Sequence, residues 1–204
     1  MSQATLQRRP LVKEILAGAD DNLLVIAGLG SSNWDITNAG DRPLNMPLWG
    51  AMGAPVGMGL GLALAQPVKR VLVITGDGDM LMSLGSLATV AAQSPENLAI
   101  CVLDNEKFGE TGNQATHTSP RNNGPTDSGA GTDLALIARG CGIADCSTVT
   151  DKSDVGQLVK DLRFKKGPVF RLVKVMVEKL EFVMPPQDGA HLKDRFRQAL
   201  LGSP

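Results

Sequence analysis

Cysteine and net charge are both scarce in this chain of 204 residues. There are three cysteines, Cys101, Cys141 and Cys146, with no Cys-x-x-Cys spacing. An odd count without paired spacing argues against a disulfide scaffold and against a structural zinc site. Cys101 lies in an apolar run and reads as a core residue. Lysine and arginine total 20 against 21 aspartates and glutamates, a net charge of −1. That balance points to no nucleic-acid partner and no membrane-surface partner. Residues 1–10 contain no apolar h-region, so no secretory signal is expected and the protein is expected to be cytoplasmic. Internal repeats and low-complexity tracts are also absent.

The longest uncharged stretch, residues 43–68, is too interrupted for a membrane span. It holds four prolines and five glycines, which favours a buried, glycine-rich helix packed closely against another surface. With 43% hydrophobic and 20% charged residues, the composition fits a soluble globular domain. The length allows one domain with a real core.

The organising stretch is 71–118. Residues 71–75 (VLVIT) form a short β-branched run that reads as a buried strand. A tight Gly76-Asp77-Gly78 turn follows, and Met80, Leu84, Leu87 and Ala91 then recur at helical spacing. Residues 98–103 make a second buried strand, ending at Asp104-Asn105. Two parallel strands joined by a helix bring Gly76–Gly78 and Asn105 to the same carboxyl edge, where open α/β sheets bind ligands. Asp77 and Asn105 each offer an oxygen, the donor type that magnesium prefers. The helix start near Asp79 offers free N–H groups to a phosphate. These residues point to a metal–diphosphate site without naming the ligand.

Gly76-Asp77-Gly78, then 26 residues, then Asn105 resembles the GDG-x(about 26)-N motif of thiamine-diphosphate enzymes. The resemblance implies magnesium ligation by Asp77, by the Asn105 side chain and by the backbone carbonyl of Lys107. The flanks LWGAMGAPVGMGLGLALA (48–65) and DNEKFGETGNQATHTS (104–119) are similar to the small β-subunits of sulfopyruvate decarboxylase and to phosphonopyruvate decarboxylases. That likeness covers roughly 48–143 and is weaker outside. It implies that Met52 wedges the cofactor into its bent form and that the Gly50 carbonyl receives the aminopyrimidine. It also implies that Thr111, Gly112, Asn113 and Gln114 wrap the diphosphate. His117 is a candidate proton donor or substrate-anion contact, with a structural role as the competing reading. Arg121 is read as solvated, with a sulfonate or phosphonate contact as the competing reading. Asp79 departs from the related decarboxylases, which more often carry serine. A carboxylate there is expected to face away from the diphosphate or to cap the helix.

The remaining elements alternate. A helix is expected over 10–19 and a strand over 23–27. Residues 28–33 (GLGSSN) resemble a phosphate loop but lack its third glycine, so they read as a strand-to-helix turn before a short helix over 34–38. A proline-bearing loop (41–49) leads to the glycine-rich helix (50–66). The polar stretch 106–132 is expected to be a binding loop or lid. Thr132 is expected to cap a helix running to Ala138. A short strand within 141–149, a helix over 151–163 and a near-edge strand over 168–175, with Arg171 and Lys174 exposed, follow. A helical tail begins at about 185. The expected fold is α/β, a mostly parallel sheet with helices on both faces, as in the thiamine-diphosphate-binding fold, with 1–204 as one diphosphate-binding domain.

Thiamine enzymes of this kind activate the cofactor with a glutamate on a separate pyrimidine-binding domain, which 204 residues do not accommodate. The resemblance therefore implies a pyrimidine-domain (alpha) subunit as partner, an oligomeric assembly and a small anionic 2-oxoacid as substrate. The uncharged helix within 50–66 is the expected contact surface. The GDGD form also resembles the β-subunits of 2-oxoacid:ferredoxin oxidoreductases, but the cysteines lack cluster spacing. The same motif also fits a carboligase subunit or a non-catalytic cofactor-binding subunit.

Overall fold

In the computed structural model the described residues are 4–120 and 131–202. The strands are β1 (Leu23–Ala27), β2 (Asn45–Pro47), β3 (Arg70–Gly76), β4 (Leu98–Asp104), β5 (Lys107–Phe108), β6 (Gln114–Ala115), β7 (Asp145–Val149) and β8 (Val169–Lys174). Six of them form a parallel main sheet in the order β2-β1-β3-β4-β8-β7. Strands β5 and β6 form a separate antiparallel hairpin. The helices are α1 (Arg8–Leu16), α2 (Ser31–Ala39), α3 (Pro55–Ala65), α4 (Asp77–Leu81), α5 (Gly85–Gln93), α6 (Leu134–Gly140), α7 (Val155–Phe164) and α8 (Gly189–Leu201).

Strand residues alternate between two cores, as the pleat requires. Leu24, Ile26, Val71, Val73, Ile100 and Val102 pack with residues of α3, α5, α6 and α8. Leu23, Val25, Leu72, Ile74, Ala99 and Cys101 pack with residues of α1, α2 and α7. The expected sheet with helices on both faces is therefore present. The tail is part of the body: Asp188 caps α8, and Phe196 joins the first core. Among the described residues no helix is long and apolar enough to cross a membrane.

Several local expectations need correction. The helix after Gly78 breaks after Leu81 and resumes at Gly85. The apolar periodicity runs across the break because both segments face the same core. Pro55 starts α3, five residues later than expected, because Gly50 and Gly53 adopt φ of 62° and 87° in the preceding turn. Asn45–Pro47 is an edge strand inside the stretch expected to be a loop. Asp133 rather than Thr132 caps α6, accepting a bond from the Leu136 amide. The 168–175 strand is near an edge as expected, with β8 beside the edge strand β7, but Arg171 is buried rather than exposed. The Arg171 guanidinium lies 2.6 Å from Asp161 and 2.8 Å from Asp145, partners that a local pattern could not show.

Candidate functional site

The pairing of Gly76 with Leu103 across β3 and β4 sets Asp77 and Asn105 side by side at the carboxyl edge of the sheet. Residues 29–32, 76–79, 105 and 107–111 meet there around an open cavity of about 140 Å³, with Arg8, Met52, Leu103 and Val175 completing the wall. Small-molecule sites commonly span roughly 300–1,000 Å³, so this cavity is a small one. Glycine is required at 78 because a Cβ there would strike the Phe108 ring.

Asp77 is buried. Thr116 and Thr118 both bond its Oδ2, Thr118 at 2.9 Å, which leaves Oδ1 for a ligand. Thr118 also lies 2.9 Å from Asp104 Oδ1, and Lys174 Nζ sits 2.7 Å from Asp104 Oδ2. Burial, reinforced by the neighbouring Asp104 charge, pushes the Asp77 carboxyl up to about 6, while the two threonine hydroxyls pull it down. A cation beside Asp77 would relieve that desolvation. Asn105 Oδ1 accepts the Lys107 amide at 3.0 Å and keeps a second lone pair.

These donors suit a hard cation that keeps phosphate and water ligands. Among the described residues no three His, Cys, Asp or Glu side chains gather in one cluster. The first turn of α2 has neither a side-chain cap nor an acidic residue. Gly30, Ser31 and Ser32 line the cavity, so free N–H groups lie where an anion would sit.

Residues 29–173 match the family model described as thiamine pyrophosphate enzyme, C-terminal TPP binding domain. The chain belongs to the thiamine pyrophosphate enzyme family. It is 33% identical over 195 residues to sulfopyruvate decarboxylase subunit beta of Methanothermobacter thermautotrophicus, covering 93% of this chain and 94% of that one. The subunit of the same name from Methanocaldococcus jannaschii is 36% identical over 147 residues, 72% of this chain and 71% of that one. Phosphonopyruvate decarboxylase of Streptomyces viridochromogenes is 36% identical over the whole of this chain, which spans 48% of that protein. Among solved structures, a 2-oxoglutarate:ferredoxin oxidoreductase from Magnetococcus marinus shares the fold. Its TM-score is 0.69 at 18% identity, covering 96% of this chain and 78% of that one.

The cavity of this thiamine pyrophosphate enzyme domain gathers most of the expected site residues. Met52, Gly76, Asp77, Gly78, Asp79, Asn105, Lys107 and Thr111 all line it. Gly50, Gly112, Asn113 and His117 are not among its lining residues. Gly112 and Asn113 are exposed at the hairpin turn, with φ of 113° and 60°. Thr111 Oγ1 bonds Gln114 Oε1 at 2.7 Å. His117 is exposed, between the buried Thr116 and Thr118. Arg121 lies outside the described residues.

Asp79 does not cap its own helix. Its oxygens bond the Gly53 amide and the Thr75 hydroxyl, tying α4 and the end of β3 to the turn that carries Met52. Burial raises its pKa, against the pull of those two bonds. Sequence reasoning missed Thr116, Thr118 and the cavity role of residues 29–32. The glycines and serines of that loop are the available signal, and the missing third glycine masks it.

Proposed function

We propose that this chain is the diphosphate- and magnesium-binding subunit of a two-subunit thiamine-diphosphate-dependent decarboxylase. Its substrate would be a small anionic 2-oxoacid of the sulfopyruvate or phosphonopyruvate kind. The observation that carries this reading is the placement of Asp77 and Asn105 on adjacent strand ends, beside the uncapped N-terminus of α2. The substrate class follows the names of the relatives that cover most of this chain. Bound here, the cofactor supplies the thiazolium carbanion and the electron sink for decarboxylation.

The chain's own residues bind and orient. Asp77, the Asn105 side chain and the Lys107 carbonyl would hold magnesium. Ser31, Ser32 and Thr111, which line the cavity, would donate to the diphosphate, and Gly112 and Asn113, exposed at the hairpin turn, would join them only in the assembled enzyme. Met52, in the cavity wall, would pack against the cofactor, and the Gly50 carbonyl, outside that wall, would accept from its amino group in the assembled enzyme. His117 is exposed, so its proton-donor role belongs to the assembled enzyme. A pyrimidine-domain partner completes the half-enclosed site. It docks on the uncharged outer face of α3, where Gly57, Met58, Gly61 and Leu64 are exposed.

Calorimetry of thiamine diphosphate with and without magnesium tests the reading. Asp77→Ala should abolish magnesium-dependent binding while circular dichroism stays native. Magnesium-dependent affinity equal to the wild type in that variant would refute the metal assignment. Carbon dioxide release from sulfopyruvate should require the added partner subunit, and sustained turnover by this chain alone would refute the split site.

A further inference from the structure

We propose that Arg8 is a diphosphate-binding residue, a fixed guanidinium in the wall of the cofactor cavity. This rests on the thiamine-diphosphate reading above and deepens it. The Arg8 side chain is only 6% exposed, yet Arg8 lines the cavity together with Ser31, Ser32, Leu103 and Val175. A buried guanidinium requires a counter-charge and acceptors. Among the described residues its ion-pair partner is Asp35 of α2, with Nε 2.6 Å from Oδ2, and Nε itself makes no well-formed hydrogen bond.

That carboxylate is already shared. Arg9 Nε reaches Asp35 Oδ1 at 3.2 Å, and Arg9 also bonds the Glu181 carbonyl at 2.8 Å. Glu178 accepts from the Arg8 backbone amide, not from its guanidinium. Asp35 thus divides its two oxygens between two guanidinium groups, Glu178 is engaged by the backbone, and Arg8 lines the cavity with bonding capacity to spare. The wall otherwise carries Asp77, Asp79 and Glu110 against Lys107. With Asp77 given to the metal and both Asp79 oxygens bonded to Gly53 and Thr75, a diphosphate beside Glu110 would be balanced by Lys107 and Arg8. A planar guanidinium can bind two phosphate oxygens at once.

The test is calorimetry of magnesium pyrophosphate and magnesium thiamine diphosphate on the full chain. Arg8→Gln should weaken both by about tenfold to a hundredfold, the worth of a charge-assisted bond, with Arg8→Lys in between. Asp35→Asn removes the ion pair but keeps the cation, so it should bind as tightly as the wild type or more tightly. A purely structural pair would make Arg8→Gln and Asp35→Asn lose affinity together, in step with melting temperature, and that result would overturn the proposal. So would wild-type pyrophosphate affinity in Arg8→Gln, the result expected if Arg8 met only the substrate anion. If Arg8→Gln does not fold, unaltered pyrophosphate affinity in Arg8→Lys overturns the proposal in its place. Failure of the wild type to bind magnesium pyrophosphate would instead refute the cofactor-site reading beneath it.

Discussion

Two parts of this sheet bury carboxylates in opposite ways. At the β7–β8 side, Asp145 and Asp161 flank Arg171, with Lys165 2.8 Å from Asp145. Burial pushes both carboxyls up, but the bonds from Lys165, Arg171 and Gln157 outweigh it and hold them below their usual value. At the β3–β4 edge, Asp77 and Asp79 are held by threonine hydroxyls and a backbone amide. There burial wins, and both are raised. The first cluster is neutralised from within and closed. The second is held by neutral donors and opens on a cavity, the arrangement more often found at functional sites than in closed ion pairs.

The largest effect on this contrast is expected from Arg171→Met, which leaves two partly covered carboxylates unpaired. A stability loss of about 3 kcal/mol in urea unfolding is expected, with magnesium pyrophosphate affinity unchanged. Asp145 and Asp161 are depressed below 3.8. Their pairing therefore stabilises the fold above that pH and is lost as pH falls through the lower folded-state values. The gap between wild type and variant should accordingly narrow below about pH 4; a gap constant from pH 7 to pH 3 would mean that packing, not charge, carries it.

Asp79→Ser is the next test. It leaves the Gly53 amide without its acceptor, for a loss of about 1–3 kcal/mol. Diphosphate affinity should hold, because both Asp79 oxygens are committed to Gly53 and Thr75; a marked loss would give Asp79 a direct ligand role. Thr118→Val should do least, costing about 1 kcal/mol of stability and weakening magnesium-dependent binding severalfold. If binding did not change, Thr116 alone would suffice to orient Asp77.

The same contrast explains what is legible in the sequence. Strands β1, β3 and β4 are apolar on both faces and bounded by turn residues, so composition alone marks them. The GDG-x-N spacing locates Asp77 and Asn105 because register follows from two such strands. The pattern of β8 places it near an edge correctly but misreads its charges, since Arg171 and Lys174 look solvent-facing until Asp145, Asp161 and Asp104 are brought in by other connections. Thr116 and Thr118 sit in a polar loop and look solvated. They turn inward only because Asp77, about 40 residues earlier, lies beneath them. Arg8 is hidden in the same way, as the first residue of an amphipathic helix whose apolar side, Leu11, Ile15 and Leu16, is plain from spacing alone.

The cavity wall draws on Arg8 at one end of the chain and Val175 near the other, with residues from the β1, β3 and β4 connections between. No single supersecondary unit contains it. Such a site exists only once the central strands are paired, so occupancy is linked to global folding rather than to one local segment. A ligand at a hundred times its dissociation constant would deepen the native state by about 2.7 kcal/mol. Ligand-free subunits would then be the less stable pool, and the more exposed to proteolytic clearance.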